Sequence, residues 1–157
     1  VRRSAPFPHV TDVVGMEHAL RLARAAAVLE EVPVGAVIIQ EGRVLGEAHN
    51  ETVRRNIPTA HAEILALHKA LETAGTDRLP NAVLYVTLEP CAQCAGALVL
   101  AKLGRVVFGA YDKRAGMAGS IEDLLRHPRL NHRMEVLGGV MEEECGELLK
   151  NFFRVRR

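Results

Sequence analysis

The sequence predicts one α/β domain built on a mixed sheet, and three observations carry that prediction. Apolar spacing alternates between helical stretches and short β-branched runs, in the order α-β-β-α-β-α-β-(α)-β-α. Repeated β-α-β units need crossover helices, so part of the sheet is expected to be parallel, with helices on both faces. A direct strand-to-strand turn near the start makes the sheet mixed. At 157 residues the chain fits one domain with a real core. Residues 1–10 are expected to form a flexible tail and residues 11–157 the domain.

The first helix is expected over residues 11–29, rich in Ala, Arg and Leu, with Thr11 or Asp12 as its N-cap. Residues 34–39 form a continuous apolar run, Glu41-Gly42 turns the chain, and residues 43–49 return as a second strand. Residues 50–58 read as loop. Thr59 is placed to cap a helix reaching about residue 73, and residues 75–81 break the pattern. A buried strand follows over residues 82–87. Pro90 opens a helix over residues 91–102, and Gly104 stops it. Then come a strand over 105–110, a polar loop with a short helix near 120–126, a strand over 133–137 and a last helix over 141–153.

Nearly half the residues are aliphatic, aromatic or Cys and about a quarter are charged, an ordinary globular mix. No apolar run approaches the roughly 18 residues that span a membrane. The opening residues lack the apolar stretch of a signal peptide. Because the chain opens on Val1, an initiator methionine or longer leader is expected upstream. Cys91, Cys94 and Cys145 are an odd set and a poor disulfide framework, which points to a reducing cytoplasm. The net charge of +1 says nothing about nucleic acid, but its distribution does. Arg154, Arg156 and Arg157 end the chain, with Lys150 one turn earlier, and Lys113-Arg114 and Arg2-Arg3 form further clusters.

Three short segments, His61-Ala62-Glu63, Pro90-Cys91 and Cys94, combine into a candidate metal site. One imidazole and two thiolates leave a fourth position for water, the arrangement of hydrolytic rather than structural zinc. Cys91 and Cys94 fall at the start of a helix, where the N-terminus favours thiolates, and their spacing presents both to one ion. His61 is likewise placed at a helix start, so two helix N-termini facing one crevice would assemble the set. Alone, the Cys pair also fits a redox dithiol or two buried cysteines, and His61 a core or surface residue. Glu63 is expected beside the metal, taking a proton from water and returning it to the substrate. A glutamate in a first turn also suits a helix N-terminus on its own account. His49, His68, His127 and His132 do not repeat the strand-helix placement, and Cys145 fits core packing.

Further segments extend the pattern: Pro33-Val34-Gly35-Ala36-Val37, Pro58-Thr59-Ala60, Leu84-Tyr85-Val86-Thr87-Leu88-Glu89, Cys94-Ala95-Gly96-Ala97, Gly104-Arg105-Val106-Val107-Phe108-Gly109-Ala110, Asn131-His132 and the ending Phe152-Phe153-Arg154-Val155-Arg156-Arg157. H-x-E followed by P-C-x-x-C is the known signature of zinc nucleobase deaminases. Across residues 12–157 the chain resembles the cytidine deaminase-like superfamily, and most closely its bacterial tRNA-specific adenosine deaminases. The zinc segments are common to the superfamily, whereas the Asn-His pair and the Arg-rich ending are more specific to the tRNA branch.

That resemblance implies a three-layer α/β/α sandwich around a five-stranded mixed sheet, a homodimer, and one Zn2+ per chain. It implies hydrolysis of adenosine to inosine at the wobble position of a tRNA anticodon, with release of ammonia. His61, Cys91 and Cys94 would hold zinc, Glu63 would shuttle the proton, and Asn50 would bind the flipped base. The Ala62 backbone is expected near the base and the Cys91 backbone near the reacting oxygen. Asp112 matches an acidic position along the bound strand, where it either reads the 2′-hydroxyl or caps its own loop. Arg154, Arg156 and Arg157 are expected on phosphates, with Phe152 and Phe153 in the core. Gln93 departs from the family, which commonly has Met there. A deaminase of free guanine or cytosine shares the zinc motif and remains the alternative. A noncatalytic zinc and RNA-binding subunit would have no need of Glu63, and a redox protein would leave both His61 and Glu63 unexplained.

Overall fold

The computed structural model describes residues 10–156. The expected N-terminal tail therefore lies outside the described residues except for Val10, which is helical, and Arg157 lies outside them too. The described elements are α1 (Val10–Val28), β1 (Gly35–Gln40), β2 (Arg43–His49), α2 (Thr52–Arg55), α3 (Ala62–Ala74), β3 (Val83–Leu88), α4 (Ala92–Leu100), β4 (Arg105–Ala110), β5 (Glu135–Gly138) and α5 (Glu142–Val155). The strands lie in the order β2-β1-β3-β4-β5. β1 is antiparallel to both neighbours, and β3, β4 and β5 are parallel.

Successive strand residues face opposite layers. Val37, Tyr85 and Val107 pack with Met16, Ala19 and Leu20 of α1 and Cys145 of α5. Ala36, Ile38, Leu84, Val86, Val106 and Phe108 pack with Ala62, Ala66 and Ala70 of α3 and with Ala95, Leu98 and Val99 of α4. Both faces of β1, β3 and β4 are covered, which is why these central strands read as continuous apolar runs. The expected three layers and five-stranded mixed sheet are present. A Cβ on Gly46 of β2 would sit 2.4 Å from the Ala66 carbonyl oxygen. Only glycine there lets α3, with Glu63 in its first turn, lie this close to the sheet.

Boundaries differ from the sequence expectations where a distant side chain replaces a local one. Asp12 lies within α1 rather than capping it. Its buried carboxylate accepts from the Tyr85 hydroxyl at 3.0 Å and from two nitrogens of Arg105 at 2.6 and 3.0 Å. Burial, with Asp12 second, pushes the Tyr85 hydroxyl up to about 12. Residues 50–58 are not all loop, because α2 forms there. Thr59 does not cap α3; His61 holds the N-cap position, and the Ala62 N–H donates to Asn50 Oδ1 at 2.8 Å. No helix forms at residues 120–126, because the chain there bonds back onto residues 116–119: the Ile121 and Leu124 N–H groups go to the Gly116 and Met117 carbonyls, and Ala118 bridges Asp123. α4 ends at Leu100, before the expected residue 102, and β5 begins at Glu135 rather than 133.

Asp12 is buried, whereas Arg105 is part-buried and keeps Glu135 at 3.7 Å, so losing Asp12 should cost somewhat less than the ~3–5 kcal/mol of breaking a fully buried pair. Asp12→Ala should therefore lower the melting temperature by on the order of 10 °C. A thermal melt reads this directly, and an unchanged midpoint would mean that Asp12 does not anchor α1 to β3 and β4.

Candidate active site

β2, β3 and β4 run in the same direction, so Asn50, the Glu89–Cys91 segment and Asp112 leave the sheet at one edge. In open α/β sheets this is the edge where ligands bind. α3 and α4 both begin there, with His61 and Cys91 at their N-cap positions and Cys94 in the first turn of α4.

The structure brings the three expected ligands together. Nδ1 of His61 lies 3.5 Å from the sulfur of Cys91 and 3.5 Å from that of Cys94. All three donor atoms fall within 4.8 Å of one another. Tetrahedral zinc, with bonds of about 2.3 Å to sulfur and 2.0–2.1 Å to nitrogen, sets its sulfur and nitrogen ligands about 3.5 Å apart. The donor set and its spacing therefore fit the ion. Among the described residues no further histidine joins this cluster. His132 is engaged with the Leu103 carbonyl and His49 with the Asn50 carbonyl.

Electrostatics favour an anionic cluster beside a protonatable carboxyl. The hydrogen bond with Cys94, then the one with His61, pulls Cys91 down to about 4. The same contact with Cys91, with burial second, pushes the Cys94 thiol up. The hydrogen bond with Cys91 raises His61. Glu63 is 5% exposed, and burial raises its carboxyl to about 7. A carboxyl at that value both accepts and returns a proton near neutral pH.

Glu63, His61, Cys91, Asn50 and Asp112 line one cavity of about 150 Å³, closed by Val32, Val34, Leu88, Glu89 and Ala115. Its room suits one flat heterocycle. Asn50 commits Oδ1 to the Ala62 N–H, which leaves its amide nitrogen as the donor it can offer. Asp112 Oδ1 accepts from the N–H groups of Arg114 and Ala115, the geometry of a loop cap. Gln93 donates to the Thr59 carbonyl at 3.2 Å and so ties the start of α4 to the segment before His61. Cys145 is 1% exposed, and burial pushes its thiol up to about 12, in keeping with a core role.

Comparison with known proteins meets this geometry from the other side. The MafB19-like deaminase family matches residues 12–157. A tRNA-specific adenosine deaminase of Bacillus subtilis is 48% identical over 148 residues, 93% of this chain and 91% of that protein. The chain belongs to the MafB19-like deaminase family, among the tRNA-specific adenosine deaminases. The deaminase is also 45% identical to the enzyme of that name from Haemophilus influenzae, over 90% of this chain and 83% of the relative. A solved structure from a study of A-to-I editing by tRNA:A34 deaminases at the wobble position superposes with a TM-score of 0.83. It is 43% identical and covers 87% of this chain and 99% of its own. A guanine deaminase from Nitrosomonas europaea, 23% identical with a TM-score of 0.78, covers 89% of this chain and 83% of its own and shares the fold.

The basic ending of the deaminase divides in the structure. Arg114, Lys150, Phe153, Arg154 and Arg156 contribute to a groove of about 800 Å³ along α5. Arg156 is already engaged, since it pairs with Glu30 at 2.6 Å and stacks 3.6 Å above the Phe152 ring. Arg154 hydrogen-bonds to Asn151 on its own helix, and Arg157 lies outside the described residues. Phe152 is buried, as expected, but Phe153 is 48% exposed and lines the groove. Phe153 stands about 100° around the helix from Phe152 and faces the groove instead. Two residues that frame the crevice carried no assigned role in the sequence reading: Glu89, and Glu31, whose buried carboxylate accepts from the N–H groups of Val53 and Arg54 in α2.

Proposed function

We propose that this deaminase converts adenosine to inosine at the wobble position of a tRNA anticodon. The observation that carries the chemistry is the buried Glu63 carboxyl in one cavity with His61 and Cys91. The names of its relatives support the substrate, and the groove of Arg114, Lys150 and Arg154 supports an RNA.

In this reading His61, Cys91 and Cys94 hold one zinc ion per chain. Zinc in that setting supplies a Lewis acid that brings the pKa of water towards about 7. Adenosine in the anticodon loop leaves its stack and enters the cavity, where the Asn50 amide meets the base. Glu63 removes a proton from water as the oxygen bonds to C6, and delivers it to N1. The carboxyl then carries the second proton to the amine, the C6–N bond breaks, and ammonia departs as C6 becomes a carbonyl. Adenosine and water thus give inosine and ammonia with no other reactant. Arg154 and Arg114 hold phosphates in this reading, and Asp112 reads the ribose or shapes its loop. The enzyme acts as a homodimer in the cytoplasm; among the described residues no helix is long and apolar enough to cross a membrane.

The test is inosine formation in an anticodon stem-loop with adenosine at the wobble position, beside free guanine, cytosine and adenosine. Inosine in the stem-loop and none from free adenosine is the expected result. Turnover of a free base with no inosine in the stem-loop would replace this reading with a free-base deaminase.

A further inference from the structure

One wall of the crevice, residues 112–120, contains no helix or named strand. Asp112 accepts from the N–H groups of Arg114, Ala115 and Gly116, and those of Met117 and Gly119 meet the Pro90 and Glu122 carbonyls. Glu89 takes the N–H groups of Asp112, Ala118 and Ser120. It is 2% exposed, and four donors converge on its carboxylate. Oε1 accepts from the Asp112 N–H at 3.0 Å and from the Ser120 hydroxyl. Oε2 accepts from the N–H groups of Ala118 at 2.9 Å and Ser120 at 3.1 Å. The segment wraps the carboxylate so closely that a Cβ on Gly116 would lie 2.3 Å from Glu89 Cδ. Glu89 is itself fixed, because its N–H donates to the Ala110 carbonyl at 2.9 Å. It also stands two residues before Cys91. The wall bearing Asp112 and Ala115 is thus tied to the backbone that presents a metal ligand.

We propose that Glu89 is a positioning residue for the substrate: by holding residues 112–120 through their backbone, it shapes the crevice before the substrate arrives. Proton transfer stays with Glu63. A wall fixed in advance need not be ordered on binding, and ordering cost appears in substrate affinity. The inference rests on the deaminase reading of the cavity, not on which substrate enters it.

The test is steady-state kinetics of Glu89→Gln in the zinc-loaded full chain with the anticodon stem-loop. Glutamine keeps the shape but sets an NH2 group against two of the four donors. KM should rise by at least about fivefold while kcat falls by less than about twofold. A merely structural role would lower the active fraction, reducing kcat with KM unmoved, and that result, or no change in either, would overturn the proposal. If Glu89→Gln does not fold, Ser120→Ala removes one donor and should raise KM by about twofold; an unmoved KM there also overturns it. Should the parent act on a free base and not on the stem-loop, the proposed function falls, and the same KM-against-kcat split read on that base still decides the role of Glu89.

Discussion

Replacing Glu63 by glutamine should lower kcat by about 10²–10⁴-fold while the zinc content of the protein stays at that of the parent. The side chain keeps its volume in a site that is 5% exposed, so packing is preserved and only proton transfer is removed. In the parent, Glu63 must be ionised to accept the proton of water, and burial places its pKa at about 7. The acid limb of kcat/KM should therefore report this carboxyl and be absent from the residual activity of the variant. Stability should move the other way. The unfolded carboxyl ionises near its ordinary 4.5 and the folded one near 7, so the native state binds more protons across that window. Its stability falls as pH rises through it. Glu63→Gln removes that loss and should melt higher than the parent at pH 8. A variant with parental kcat, or one that has lost its zinc, would remove Glu63 from the role of proton shuttle.

The same two forces explain what was legible in the sequence. The main helices and all five strands were, because the central strands β1, β3 and β4 are covered on both faces and α1, α3 and α4 turn stripes of small apolar residues to the sheet. The clustering of His61, Cys91 and Cys94 was legible for a related reason: His61 and Cys91 fall at helix starts that follow strands leaving one edge of the sheet. What escaped depends on side chains reaching far along the chain. α2 is a single turn whose N–H groups meet Glu31, 22 residues before Val53. Asn50, 12 residues away, meets the first N–H of α3, the place where Thr59 was expected to act. The helix expected at residues 120–126 gives way because Ile121 and Leu124 bond back to Gly116 and Met117, on a loop held at Ser120 by Glu89, 31 residues earlier. Local propensity contains none of these contacts. Arg156 is a milder case: its charge was visible, but not the Glu30 carboxylate that pairs with it.

Loss of any one of the three ligands should cost both activity and structure, and the two losses should be separable. His61 begins α3 and Cys91 begins α4, so an ion held by both joins two helices that pack side by side on one face of the sheet. Cys94→Ser keeps nearly the shape of a fully buried side chain but replaces a soft thiolate with a hydroxyl. Zinc affinity should fall by more than about 100-fold, since even changes one shell further out cost 10–100-fold. Activity should fall to the level without enzyme. Binding to the native state alone adds about 4 kcal/mol when free ligand exceeds Kd by about 1,000-fold. For a domain of this size that corresponds to a Tm difference on the order of 10 °C. Chelation should therefore lower the melting temperature of the parent towards that of Cys94→Ser and leave the variant itself unmoved. Zinc added back should restore the parent in both respects. If the parent lost activity on chelation but kept its melting temperature, the ion would serve the chemistry without joining α3 to α4. If Cys94→Ser kept both its zinc and its turnover, the ligand set would be other than His61, Cys91 and Cys94.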